Sequence, residues 1–324
     1  MRAQCSLYVD AGYLLASAAT RLTESSLRAG VRAEYEPLIG GLIEQAEGLA
    51  GCPLLRVNWY DAAKDALPDR DQERVGALPR VKVRLGRVGQ SGEQKGVDLR
   101  IGLDMVAQAR YGAVDMMLLV SGDDDLTEAV EEAQVHGVQV KVLAVPNLQG
   151  HPHGVSRHLL RASDGIELIA AELLDQTITR VVRKAGPGGA PLPGPRPAPR
   201  TAAPGPLPGP KPLAPPVRRV PESTLAYQTE TGGKAVIAPE YDSLDPKRTE
   251  QIDLVVTRVI ESFLASATPE ERAEVLKTKP SIRPDLDRAL LLDLAHRLDD
   301  HDLSELIRYE LRDHFWAELT KAIA

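Results

Sequence analysis

Residues Met116–Ser121 read MMLLVS, a continuous apolar run of strand length with no polar alternation. A strand of that kind is expected to be buried on both faces, which requires helices above and below a mostly parallel sheet. Its surroundings agree. Strand signals at Ser6–Asp10 (SLYVD), Leu54–Tyr60 (LLRVNWY), Val81–Leu85 and Val138–Val145 alternate with helical signals at Ala11–Ala19, Pro37–Leu49, Gly96–Arg110 and Leu126–His136. Such alternation predicts crossover connections and an α/β fold over residues 1–182. In open parallel sheets, sites form at the carboxyl ends of the strands.

Composition divides the chain of 324 residues into three regions. Residues 1–182 carry 25 acids against 19 Lys and Arg, and residues 240–324 carry 19 against 12. Residues 183–239 carry only two acids against eight basic residues, and Gly186–Pro221 is dense in proline. Proline removes backbone donors and blocks helices, so 183–239 is expected to be a largely disordered, basic, semi-extended spacer. It could serve as an arm for phosphates or as reach alone. The third region has helical periodicity without strand signals. Thr268-Pro269-Glu270-Glu271 is a capping box with proline at the first helical position. A small all-α domain of three or four helices is therefore expected at 240–324. Its negative charge favours a protein partner or self-association over direct RNA contact.

Other whole-chain features set bounds. The net charge is −7 and aromatic content is 4%, which argues against a protein that coats nucleic acid through charge or stacked rings. Cys5 and Cys52 adjoin apolar runs and are expected to be core thiols, with no zinc spacing. No membrane-length apolar stretch and no secretory leader are seen, so a cytoplasmic setting is expected. The usage of Ala, Gly, Pro and Arg is that of a GC-rich bacterial gene.

Carboxylates gather where those strands end. Asp10 closes the first strand, Asp98 opens the helix after KGV, Asp104 lies six residues further, and Asp123, Asp124 and Asp125 follow the MMLLVS strand. Each alone has a simpler role. Asp10 or Asp98 could cap a helix, Asp104 could face solvent or pair with Arg100 or Gln108, and the triple could cap the next helix. Together they predict a divalent-cation site. Crowded carboxylates repel and lose hydration, and Mg²⁺ or Mn²⁺ offsets both costs. Such an ion can polarise a phosphate and activate water. Lys95 and Thr127 are candidates for holding the substrate phosphate. His151, His153 and His158 lie in a Gly/Pro-rich loop, where exposure is the default. No G-x-G-x-x-G follows the first strand, which disfavours a dinucleotide domain.

YVDAGYLL at 8–15, KGVDLRIGLDM at 95–105, LLVSGDDDLTEAV at 118–130 and GVQVKVLAV at 137–145 resemble the NYN family, the LabA-like branch of PIN-type nucleases. That resemblance covers about residues 5–182. It implies a PIN-like parallel sheet flanked by helices and Mg²⁺- or Mn²⁺-dependent cleavage of RNA. It carries metal-binding and catalytic roles onto Asp10, Asp98, Asp123 and Asp125, and a metal role onto Asp104. Asp124 stands where Ser is usual and is expected to point away from the metal. Tyr13 stands where many members have Asn, which favours a second reading: a weak or inactive RNA-binding or regulatory protein acting through its helical domain.

Overall fold

The computed structural model describes residues 3–63, 67–88, 94–182, 246–298 and 303–323. The expected proline-rich spacer lies outside the described residues.

Seven strands form the main sheet: β1 (Cys5–Asp10), β3 (Leu54–Ala63), β4 (Val81–Val88), β5 (Gln94–Lys95), β6 (Met116–Val120), β7 (Gln139–Ala144) and β8 (Gly165–Leu168). Their order is β5-β4-β3-β1-β6-β7-β8, all parallel except the short β5. A separate antiparallel pair joins β2 (Val31–Ala33) to β9 (Ile178–Arg180).

Both faces of the sheet are covered, as the MMLLVS run requires. Alternate residues serve two cores. Leu7, Val9, Trp59, Leu118 and Val120 pack on one side with α1 (Ala11–Thr23) and α2 (Tyr35–Ala50). Tyr8, Tyr60, Met117, Leu119 and Val142 pack on the other with α4 (Val97–Arg110) and α5 (Thr127–Val135). Three short helices, α3 (Arg70–Gly76), α6 (Arg157–Ala162) and α7 (Ala171–Thr177), complete the layers. Cys5 is fully buried, and burial pushes its thiol up to about 12.

After residue 245 the described chain is helical: α8 (Pro246–Ser266), α9 (Pro269–Lys277), α10 (Pro284–Leu298) and α11 (Glu305–Ile323). The expected capping box starts α9, with Thr268 and Glu271 bonded reciprocally. These helices share a core of Ile252, Val256, Phe263, Leu290 and Phe315.

That core also takes in Leu27 from the segment after α1. The sheet region and the helices pack into one compact unit. The buried Asp293 carboxylate accepts the Ser26 amide N–H in one bifurcated hydrogen bond, 3.0 Å to one oxygen and 3.1 Å to the other. Gly30 sits so close to Ser262 that a Cβ there would lie 2.3 Å from the serine hydroxyl. No helix among the described residues is long and apolar enough to cross a membrane.

Candidate active site

Asp10 is both a strand end and a helix cap. It is the last residue of β1, paired laterally with Tyr60 of β3. Its carboxylate accepts from the Gly12 amide at 2.8 Å and the Tyr13 amide at 3.2 Å. It is 9% exposed. Burial pushes its pKa up to about 6, and the Asp98 charge adds to that, while the Tyr13 and Gly12 amides and Arg28 work against it.

Asp98 is brought alongside by a turn that needs glycine. Gly96 adopts φ +75°, a conformation L side chains rarely tolerate, and α4 starts at the next residue. Asp98 is half-buried in its first turn. Its pKa is raised by burial first, then by Asp123 and Asp125. The Arg288 guanidinium of α10 acts the other way. Asp98 therefore stands in the field of three other carboxylates.

The SGDDD block delivers Asp123 and Asp125 beside it. Gly122 lies against a second loop, where a Cβ would sit 1.7 Å from the Gly154 carbonyl oxygen and 2.9 Å from the Tyr13 ring. No other residue fits there, and the Ser156 amide donates to the Gly122 carbonyl at 2.9 Å. Asp123 caps the following turn by accepting from the Asp125 amide at 3.0 Å. Both side chains are exposed at the carboxyl edge.

Asp124 turns away. It accepts from the Ser156 hydroxyl at 2.6 Å and lies 3.1 Å from His158 Nδ1. These two hydrogen bonds hold its carboxyl below the usual range, with help from Thr127. Thr127 stands near Asp124 at the start of α5. His158 is tied into this network, and His153 is half-buried against His296 of α10, with stacked rings 4.6 Å apart. Burial, then the His296 charge, pushes the His153 pKa down to about 4.

Asp104 is not brought to the cluster. It accepts from the Tyr60 hydroxyl at 2.9 Å and pairs with Arg84 at 3.1 Å. The physical reason is helical spacing. Six residues from Asp98, it lies on the flank of α4 that faces β3 and β4. Lys95 belongs to β5, but its side chain lies outside what the structure describes.

Among the described residues, no group of three or more His, Cys, Asp or Glu side chains is closed enough to hold a metal ion by itself. The donor set is all carboxylate oxygen, the kind a hard cation takes. Mg²⁺ commonly binds through one or two carboxylates and keeps several waters. The residues present fit that open mode and not an all-protein cage.

Two cations reach this centre, and neither stood out in the sequence. Arg28 follows α1 in a segment without periodicity. It pairs with Asp61 at 3.3 Å, and its charge is felt at Asp10. Arg288 arrives only because α10 docks on the sheet region. No local signal could have found it.

A doubly covered parallel sheet with aspartates at its carboxyl edge is consistent with a PIN-like α/β fold. The chain belongs to the NYN family, whose domain model matches residues 7–170. An uncharacterized protein of Sinorhizobium fredii is 38% identical over 80 residues, covering 25% of this chain and 37% of that protein. The chain thus spans well under two thirds of that relative. A protein of unknown function from Vibrio parahaemolyticus aligns in its crystal structure at TM-score 0.38 and 22% identity, covering 53% of this chain and 95% of that one.

Proposed function

We propose that the chain is a metal-dependent ribonuclease that hydrolyses RNA phosphodiesters endonucleolytically at the Asp10–Asp98 centre. The observation that carries this reading is the placement of Asp98 in the field of Asp10, Asp123 and Asp125. A fold that raises the pKa of its own carboxylates in this way gains from a bound divalent cation.

Asp10 and Asp98 would hold a Mg²⁺ or Mn²⁺ ion, with the exposed Asp123 and Asp125 orienting its waters. When bound, the ion supplies Lewis-acid polarisation of the phosphate and a water of lowered pKa. The protein's own groups do the positioning. The Gly12 and Tyr13 amides fix the Asp10 carboxylate so that it cannot rotate away. Arg28 and Arg288 bring positive charge beside the acids, where a phosphodiester needs it. Lys95 and Thr127 are further candidates for that phosphate.

A second reading is an NYN-fold RNA-binding or regulatory protein with little or no catalysis, acting through its helical region. The open donor set and Tyr13 favour it. The experiment that separates the two is Mn²⁺ titration of the full chain with end-labelled RNA. Metal-dependent internal cuts lost in Asp98→Asn support the nuclease, and RNA binding without cutting supports the second reading.

A further inference from the structure

The face of the sheet that carries α4 has a row of cations that the centre described above does not use. Arg56 of β3 is paired laterally with Ser6 of β1, and the Ser6 hydroxyl bonds Gln108 of α4, which places Arg56 on that face. The register sets Lys82 of β4 opposite Asn58, and Arg84 opposite Tyr60. Neighbouring residues in parallel register point to the same face, so Lys82 and Arg84 lie beside Arg56. Arg84 pairs with Asp104 of α4. Arg100 stands one helical turn before Asp104, on the same flank and nearer Asp98.

Four cations therefore run from the amino end of β4 towards the start of α4, with Asp104 paired to Arg84 among them. Arg56, Lys82 and Arg100 are exposed. At the far end, a cavity of about 190 Å³ opens between Leu55, Arg56, Arg80, Val81 and Lys82. Arg80 is partly neutralised by Glu47 at 2.8 Å. This row stands out on a chain whose net charge is −7.

We propose that the cationic face of β3 and β4 beside α4 is the track for the sugar-phosphate backbone of a single RNA strand, with Arg56, Lys82, Arg84 and Arg100 contacting successive phosphates. The strand leaves this face at Asp98. The inference rests on the nuclease reading for its direction, and charge complementarity selects its occupant. Few rings are available for stacking, so the contacts are ionic and insensitive to base identity.

The test uses the full chain and an unstructured RNA of about 20 nucleotides. Binding is followed by fluorescence anisotropy in EDTA across a salt series, and cleavage is followed separately with Mn²⁺. Each phosphate neutralised on a single strand contributes about 0.7 to the slope of log affinity against log salt. The variant Arg56→Gln/Lys82→Gln/Arg100→Gln should flatten that slope by about 2 and raise KM about tenfold or more. The charge-conserving Arg56→Lys/Arg100→Lys should keep the wild-type slope. Lys277→Gln/Lys321→Gln/Arg161→Gln, which removes equal charge elsewhere, should keep it too. If the wild type cleaves RNA and the first variant has an unchanged slope and KM, the track is wrong and the nuclease reading stands. If the wild type neither binds nor cuts RNA, both fall.

Discussion

The Tyr13 hydroxyl donates a 2.7 Å hydrogen bond to the His153 carbonyl and accepts one of 3.3 Å from the Val145 amide. The residue that departs from the usual Asn is thus a clasp between α1 and the loop that follows β7. Its ring also lies where Gly122 and Gly154 meet. Tyr13→Phe keeps the ring and loses both bonds, leaving a buried amide and carbonyl short of partners. Stability should fall by about 1–3 kcal/mol. Urea melts of the two proteins measure this, with faster amide exchange expected at Val145.

The Asp10 carboxylate destabilises the apo fold above its pKa. Its folded value of about 6 lies above the ordinary 3.8, so the folded state holds the proton more tightly than the unfolded chain. Stability should fall as pH rises from about 4 to about 6 and then level off. Asp10→Asn keeps a good helix cap and removes that penalty, which is at most about 3 kcal/mol. The variant should melt higher than wild type at pH 8 in EDTA, and the two should converge near pH 4. Mn²⁺ should raise the wild-type Tm and leave the variant's Tm unchanged.

Asp98 and Asp104 share a helix and should respond oppositely. Asp104→Asn disturbs the Tyr60 and Arg84 partnership, so it should lower stability by roughly 1–3 kcal/mol while cleavage persists. Asp98→Asn should fold normally and cut RNA at least a hundredfold more slowly. Paired melts and initial rates on the two variants check this. A catalytic loss in Asp104→Asn as large as that in Asp98→Asn would move Asp104 back into the centre.

Docking of α10 depends on Asp293. Burial pushes its pKa up to about 6, partly offset by hydrogen bonds from Ser26 and Ser25. Asp293→Ala leaves the Ser26 amide unsatisfied at an interface where Gly30 meets Ser262. The expected cost is about 1–3 kcal/mol, with hydrogen exchange accelerated in α10 and at Ser26. Cleavage should weaken through KM, because Arg288 is held beside Asp98 by this contact. Unchanged exchange in α10 would show that the docking does not need Asp293.

The sheet was legible wherever one segment carried its own signal. Met116–Val120 had to be covered on both sides, and Asp10 had to end a strand and cap a helix. Capping and metal holding are compatible roles for one carboxylate, so the sequence alternatives for Asp10 did not exclude each other. The short edge elements were not legible. Gly165–Leu168, with the sequence GIEL, is too brief and too exposed for alternation to show, and Gln94–Lys95 has only two residues. Asp104 was placed with the cluster by resemblance, yet the pitch of α4 turns it to β4. The contact between Ser26 and Asp293 spans 267 residues, and no local pattern encodes it. Arg288 was invisible for the same reason.

The most direct measurement is cleavage of an end-labelled RNA by the full chain as Mn²⁺ is raised from zero, for the wild type and for Asp98→Asn. Internal cuts should appear with the metal and vanish in the variant. Equal cutting by wild type and Asp98→Asn, or no cutting by the wild type at saturating metal, would contradict it.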